Sequence, residues 1–200
     1  MGRDIFRARV LLVYTSQKAQ ELFYRLLPDD KIASIKTASS CAEARNSLMQ
    51  EGADICLINT PLPDGNGVQL ASFAAKDCGA AVLLFIKKDG YDNAVAATGN
   101  AYVFVAEKPN SEHFFRQALS LLFTAKQKTW EEESKLSSLR DKLDEVKIVN
   151  RAKLVLIQYL KMDEATAHRY IEKQAMDRRV TRREVAESIL SAYEYGFEWK

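Results

Sequence analysis

The 200-residue sequence has little of several residue types, and each scarcity excludes a class of protein. Its two histidines, His113 and His168, lie far apart in the sequence, which argues against a histidine-based metal site and weakens the case for a histidine-dependent triad. Its three cysteines form no C-x-x-C pair, so we expect reduced thiols rather than a disulfide framework. No apolar run approaches the ~20 residues of a membrane span, and the first residues lack the apolar core of a secretion signal. These scarcities predict a cytoplasmic protein without a membrane partner.

Charge is spread unevenly along a chain whose formal net charge is only +2. Residues 1–124 hold 13 basic and 13 acidic side chains, whereas residues 147–183 hold 10 basic and 4 acidic ones. The last 17 residues are acidic again, with a net charge of −3. A basic block of this kind is either the footprint of a polyanion or a solvated helical face.

The first 124 residues alternate short apolar runs with amphipathic stretches. Strands are predicted at about 9–14, 32–37, 53–58, 81–86 and 102–106. Helices are predicted at 16–27, 40–50, 68–76, 91–97 and 112–123. Because three of the strands are continuously apolar, we expect a parallel sheet buried on both faces. The sequence therefore predicts a doubly wound α/β domain over residues 1–124, with its functional crevice at the carboxyl ends of the strands.

Residues 124–161 contain neither proline nor glycine and predict one long helix. Four apolar residues on it follow the 3-4-3 spacing of a coiled-coil seam: Leu136, Leu139, Leu143 and Val146. The alternative is a helix that packs on its own domain, and Trp130 is a candidate for such a contact. We favour the seam, which predicts a homodimer and makes residues 125–147 a coiled-coil linker.

Two shorter helices are predicted beyond the long one, which gives a three-helix module over residues 148–200. Asp163 is a good N-cap residue for the first of them. The spacing places Tyr170 beside Ile171 on the packed side of that helix. Thr181 and Glu184 match a capping box at the start of the last helix. The aromatic tail at 193–199 is expected to fold back on the bundle.

The predicted crevice carries unsuitable side chains for phosphoryl chemistry. Magnesium prefers carboxylate oxygens, but Asn59 ends the third strand and Tyr14 and Thr15 follow the first. Lys108 remains, and we expect it to contact Asn59 or a backbone carbonyl. The sequence also shows no nucleophile–base pair and no glycine-rich phosphate loop, so we predict no enzyme, no cofactor and no metal site.

Residues 8–123 resemble the receiver domain of bacterial two-component response regulators, a flavodoxin-like fold. The landmarks are Pro63-x-x-Asn66-Gly67, the segment 99–102, and Lys108 followed by proline. The resemblance implies a degenerate phosphorylation site, in which Asn59 replaces the phospho-acceptor aspartate. It also places Tyr14 and Thr15 at the acidic pair and Ile86 at the switch serine or threonine. The domain therefore resembles a pseudo-receiver, which keeps the fold without the phosphorylation chemistry.

Residues 147–192 are similar to the ANTAR domain, whose members are RNA-binding antitermination regulators often joined to a receiver. The similarity lies in Ala152-Lys153, the segment 163–168, the segment 175–179 and Glu184-Val185-Ala186. Leu154 departs from it, since the family often has glycine there. The resemblance implies binding to hairpin loops in a nascent mRNA leader, which prevents a terminator from forming.

Eight side chains of the basic block are the predicted RNA contacts. They are Lys153, His168, Arg169, Lys173, Arg178, Arg179, Arg182 and Arg183. Cations neutralise RNA phosphates, and arginine or histidine planes stack on unpaired bases. Two alternatives stay open: a helix-turn-helix regulator that binds DNA, and an adaptor that binds a protein through the coiled coil. In an RNA-binding regulator, the receiver-like domain is expected to act as an interaction or dimerisation platform, with activity controlled by a regulatory protein partner, by a ligand at the degenerate crevice or by abundance.

Overall fold

The computed structural model describes residues 6–99, 102–109 and 111–194. It divides into two compact units, Met1–Glu131 and Glu132–Lys200. Each unit has its own hydrophobic core. None of the helices in the described ranges is both long enough and apolar enough to cross a membrane.

The first unit is built on a parallel sheet of five strands in the order β2-β1-β3-β4-β5, as predicted. The strands are β1 Ala8–Val13, β2 Ile32–Ala38, β3 Ile55–Asn59, β4 Ala81–Lys87 and β5 Val103–Lys108. The helices between them are α1 Gln17–Leu26, α2 Cys41–Glu51, α3 Val68–Lys76 and α4 Lys88–Thr98, with a short 3-10 turn at Asp29–Lys31. The predicted fold class is confirmed, and the ends of these strands and helices differ from the predicted ones by at most three residues.

Alternate residues of the central strands supply two cores, one on each face of the sheet. Leu11, Cys56 and Leu84 belong to the core that includes α2, α3 and α4. Leu12, Leu57 and Phe85 belong to the other core, which includes α1 and the next helix, α5. Burial on both faces explains why these strands are continuous apolar runs in the sequence.

Helix α5 runs unbroken from Glu112 to Leu160, which corrects the predicted boundary between two helices at residue 124. The apolar pattern does change there, because Phe115 and Phe123 pack on the sheet and the following residues do not. With no proline or glycine in the segment, the backbone stays helical through the change. Trp130 contacts Phe6, with ring centroids 5.8 Å apart, so α5 packs within the first unit beyond residue 124.

The second unit combines the end of α5 with α6, Glu164–Arg178, and α7, Arg182–Glu194. The buried residues are Ala152 and Leu156 from α5, Ala167, Ile171 and Ala175 from α6, and Val185, Ala186 and Leu190 from α7. Both predicted helix starts are confirmed. The Asp163 carboxylate accepts the Thr166 N–H at 2.6 Å. Thr181 and Glu184 form a reciprocal capping box, at 3.2 and 2.7 Å.

Tyr170 is the wrong prediction in this unit. Its side chain is 37% exposed rather than part of the core. The buried stripe of α6 runs at intervals of four residues through Ala167, Ile171 and Ala175, and Tyr170 lies on its flank. Of the aromatic tail, Tyr193 packs against Tyr159 with ring centroids 5.5 Å apart. Residues 195–200 lie outside the described residues.

Gly67 is the N-cap of α3 and lies in the left-handed region, with φ +76°. A Cβ atom there would lie 2.9 Å from Thr60 Cγ2 and 3.0 Å from Ile58 Cγ2. We expect Gly67→Ala to lower the free energy of unfolding by about 2–3 kcal/mol, because it combines backbone strain with a clash in the core. Urea unfolding of the full chain measures the loss.

Gly79 provides the matched control for this prediction. Its φ is +66°, but a Cβ atom there would meet nothing within 4 Å. Gly79→Ala therefore carries the backbone strain alone, which we expect to cost about 1 kcal/mol. Equal losses at the two positions would contradict the clash at Gly67.

Candidate nucleic-acid interface and receiver crevice

The carboxyl end of the sheet brings Asn59 and Lys108 into one crevice, as the last residues of β3 and β5. The Lys108 ammonium donates to the Thr60 backbone carbonyl, so the predicted carbonyl contact is confirmed. Burial, together with the nearby Lys87, lowers the pKa of Lys108 from its ordinary value. The crevice therefore holds a lysine next to a neutral amide, where phosphoryl chemistry would need a carboxylate.

Tyr14, Thr15 and Ile86 offer no carboxylate either, and the acidic residue that lines the crevice, Glu112, is paired with Arg25 and Arg116. The Tyr14 ring packs edge-on against Phe23 at 5.9 Å, and burial raises the pKa of its hydroxyl. Thr15 Oγ1 lies 3.5 Å from the Pro61 carbonyl oxygen, and Ile86 is buried in the core. These side chains do not fit the magnesium site of a phosphorylated receiver. Among the residues that the structure describes, no group of three or more His, Cys, Asp or Glu could hold a metal ion.

Asp64, in the loop between β3 and α3, has a structural role at the start of α2. Its carboxylate accepts the backbone N–H groups of Cys41 and Ala42, at 2.7 and 2.9 Å. These bonds place it at the N-terminus of α2 and lower the pKa of the carboxyl. The landmark segment 99–102 is described only at Gly99 and Tyr102, and its two central residues lie outside the described ranges.

The predicted RNA contacts all lie in the second unit, and most of them are exposed. Arg169, Lys173, Arg178, Arg179, Arg182 and Arg183 are exposed, whereas Lys153 and His168 are partly buried. Four of these arginines flank the short turn between α6 and α7. The fold therefore gathers into one turn the cations that the sequence places at 178–183.

The α6–α7 turn depends on an arginine in an unusual backbone conformation. Arg179 is the C-cap of α6, with φ +56° in the left-handed region. The N–H of Val180 donates to the Ala175 carbonyl at 3.1 Å, which closes the turn. Glycine fits this position without strain, so an arginine here costs ~1 kcal/mol of backbone energy. Strained residues cluster at functional sites, which directs attention to this turn.

Acidic side chains form ion pairs with part of the basic set. Arg182 lies 3.2 Å from Glu145 and 3.9 Å from Glu172. His168 Nε2 lies 3.3 Å from the same Glu172 oxygen. The spacing of four residues between His168 and Glu172 could have indicated that pair. Nothing in the sequence links Glu145 to Arg182, because they lie on different helices.

Lys153 and Arg183 are also engaged in ion pairs. Lys153 has only 15% of its side chain exposed, and its ammonium lies 3.1 Å from Glu164. Arg183 Nε donates to Glu187 at 2.8 Å, and this contact raises the pKa of the arginine. Lys153 therefore joins α5 to α6, whereas Arg183 remains on the surface of α7.

The predicted seam on α5 is exposed in the single chain. Its four side chains, Leu136, Leu139, Leu143 and Val146, are 49–61% exposed. They lie in the second unit, on the part of α5 before the three-helix core.

Comparison with known proteins decides the family. The family model of the ANTAR domain matches residues 137–190. The transcriptional regulatory protein PdtaR of Mycobacterium tuberculosis is 31% identical over 140 residues, which cover 68% of this chain and 67% of that protein. The chain is an ANTAR response regulator. The ANTAR regulators are an RNA-binding family that acts in transcription antitermination.

Solved structures support the receiver part of this ANTAR response regulator. The signal receiver domain of an HD domain-containing protein from Pseudomonas fluorescens Pf-5 matches with a TM-score of 0.55 and 17% identity, over 66% of this chain and 97% of that one. A response regulator receiver domain protein from Methanospirillum hungatei JF-1 matches with a TM-score of 0.51 and 16% identity, over 62% and 98%. These likenesses show the receiver fold, and the predicted family and fold are confirmed.

Proposed function

We propose that this ANTAR regulator binds hairpin loops in a nascent mRNA leader and thereby prevents a terminator from forming. The observation that carries the proposal is the cluster of exposed arginines at the strained α6–α7 turn, around Arg179. Single-stranded loops present both phosphates and unstacked bases, and a guanidinium group can contact either.

The predicted contacts take different roles in this proposal. Arg178 and Arg179 meet the RNA at the turn, with Arg169 and Lys173 on the same helix as further phosphate contacts. Arg182 is shared between RNA and its partner Glu145, so binding exchanges one charged hydrogen bond for another. His168 stacks on a base. Lys153 is a positioning residue, because its ammonium pairs with Glu164 and so joins α5 to α6.

The basic turn favours RNA over duplex DNA. A recognition helix in the major groove contacts base edges with the side chains of its N-terminal turns. The first two turns of α7 contain two glutamates. Glu184 closes the capping box, and Glu187 pairs with Arg183. The exposed arginines therefore concentrate at the turn rather than along a recognition helix.

The test is a binding titration of the full chain at moderate salt. The two ligands are a tandem-hairpin RNA from a leader near its own gene and a duplex DNA of the same sequence. We expect tight binding to the RNA and weak, strongly salt-dependent binding to the duplex. Equal or tighter binding to the duplex would overturn the proposal in favour of a DNA regulator. Binding to neither would favour an adaptor.

The receiver unit, in our proposal, is not a phosphorylation switch but an interaction and dimerisation platform. We expect that Asn59→Asp will not make the chain accept a phosphoryl group from acetyl phosphate. The new carboxylate would still lack magnesium ligands, because Tyr14 and Thr15 stand at the positions of the acidic pair. Intact-mass spectrometry with and without magnesium measures the outcome.

The unsubstituted chain is the control for Asn59→Asp, since an amide side chain cannot form the acyl phosphate. A magnesium-dependent mass increase of one phosphoryl group in the variant alone would contradict the proposal. It would show that a single substitution restores the chemistry.

A further inference from the structure

We propose that the receiver unit holds a binding site for a small amphipathic anion, an aromatic or branched aliphatic group that carries a carboxylate. The site is a cavity of about 550 Å³ at the carboxyl end of the sheet, between α1 and the first turns of α5. It lies wholly in the first unit, so the proposal and its test are independent of RNA binding.

The size and floor of the cavity suit an apolar ring. Small-molecule sites usually have volumes of about 300–1,000 Å³ and are mostly apolar. Three phenylalanines from α1, β4 and α5 line the cavity: Phe23, Phe85 and Phe115. The rings of Phe85 and Phe115 are stacked at 5.1 Å, and Phe23 stacks on Phe115 at 5.6 Å. Leu22 adds an aliphatic wall.

The rim of the cavity is cationic. Lys18, Lys87 and Lys108 line it, from α1, β4 and β5. Glu112 is the acidic residue among the lining side chains, and both of its oxygens are engaged, by Arg25 at 3.1 Å and Arg116 at 3.0 Å. Burial and Lys87 lower the pKa of Lys108, so a bound anion would stabilise its ammonium form.

Two helix N-termini also face this cavity, since the N-cap of α1 and the residue before α5 line it. Ser16 Oγ accepts the Ala19 N–H, and Ser111 Oγ accepts the Phe114 N–H. A hydroxyl that accepts such a bond keeps its O–H as a donor. Helix N-termini favour negative charge, so the serine hydroxyls and the lysine ammonium groups together can bind a carboxylate.

The apolar floor and the cationic rim together select the class of ligand. A bare inorganic anion would make no use of the apolar part of the lining, and a neutral aromatic would offer the lysines no counter-charge. Asn59 also lines the cavity, so the ligand would occupy space beside the position where a receiver carries its phospho-acceptor.

The probes for the test are 2-naphthoate and its neutral isostere 2-naphthamide, titrated into the full chain by calorimetry. We expect naphthoate to bind about tenfold or more tightly than the amide, because charge-assisted hydrogen bonds are about twice as strong as neutral ones. Lys18→Gln with Lys87→Gln should weaken naphthoate binding by about tenfold. Leu22→Trp, which narrows the cavity, should weaken it as well.

The matched control is Lys76→Gln with Lys88→Gln, two exposed lysines that do not line the cavity. It removes the same charge and should change naphthoate affinity by no more than about twofold, as an effect of net charge alone. Thermal unfolding of each variant shows that the fold is kept. Equal affinity for the amide, equal weakening by the control pair, or no naphthoate binding at millimolar concentration would overturn the proposal.

Discussion

Replacing Arg178 and Arg182 with alanine is expected to lower the RNA affinity of the full chain by about thirtyfold or more, since each arginine contact with RNA is worth about 1–3 kcal/mol. Both side chains are exposed beside the α6–α7 turn. The slope of log affinity against log salt concentration should also fall by about 1.5, because two cations no longer displace counterions. Fluorescence anisotropy of a labelled tandem hairpin measures both quantities.

The control for charge alone removes two lysines from the other unit, Lys31→Ala with Lys76→Ala. Both are exposed, so we expect their loss to change RNA affinity by no more than about twofold through long-range electrostatics. Arg182 also contacts Glu145, so circular dichroism must show that the helices of the variant remain. Retained RNA affinity in a folded double variant would move the site away from this turn.

Introducing aspartates at Leu139 and Leu143 is expected to turn a dimer into a monomer. In the proposed dimer these side chains are buried against a second copy, and two buried carboxylates would raise the dissociation constant by about a hundredfold or more. In the single chain they are 57% and 61% exposed, so the monomer should keep its fold and thermal midpoint. Sedimentation velocity over a range of concentrations measures the association.

Leu154→Asp is the matched control for the seam. Leu154 lies on the same helix and is 64% exposed, but it stands outside the 3-4-3 pattern. We expect this variant to remain dimeric. An unchanged sedimentation coefficient for the Leu139 and Leu143 variant, or dissociation of the Leu154 variant, would contradict the seam.

Local patterns account for the parts of the fold that the sequence predicted. The apolar runs located the strands, and the side chains of Asp163 and Thr181 marked the starts of α6 and α7 because capping acts over three residues. The predicted helix boundary at residue 124 was wrong because it, too, was inferred from the local apolar pattern. The apolar pattern reports which residues pack, whereas helix continuity depends on the backbone, and nothing in the segment interrupts it.

The sequence was enough to predict which residues belong to the candidate site, but not which of them contact one another. Asn59 and Lys108 could be placed at neighbouring strand ends from the strand pattern alone. The Arg182–Glu145 pair and the stacked rings of Phe23, Phe85 and Phe115 could not, because each joins residues that are distant in sequence. Their geometry depends on how whole elements pack, and single-sequence periodicity carries no signal for that.

The continuity of α5 has a consequence for synthesis of the protein. A ribosome delivers the chain from its N-terminus, and domains generally fold as units in that order. All five strands emerge before Phe115, Leu119 and Phe123, which complete the core on the α1 face of the sheet. A nascent chain that stops at β5 therefore leaves that face open. Once α5 has emerged as far as Trp130, both cores of the first unit are complete. The core of the second unit, drawn from Ala152 to Leu190, forms without sharing a residue with them.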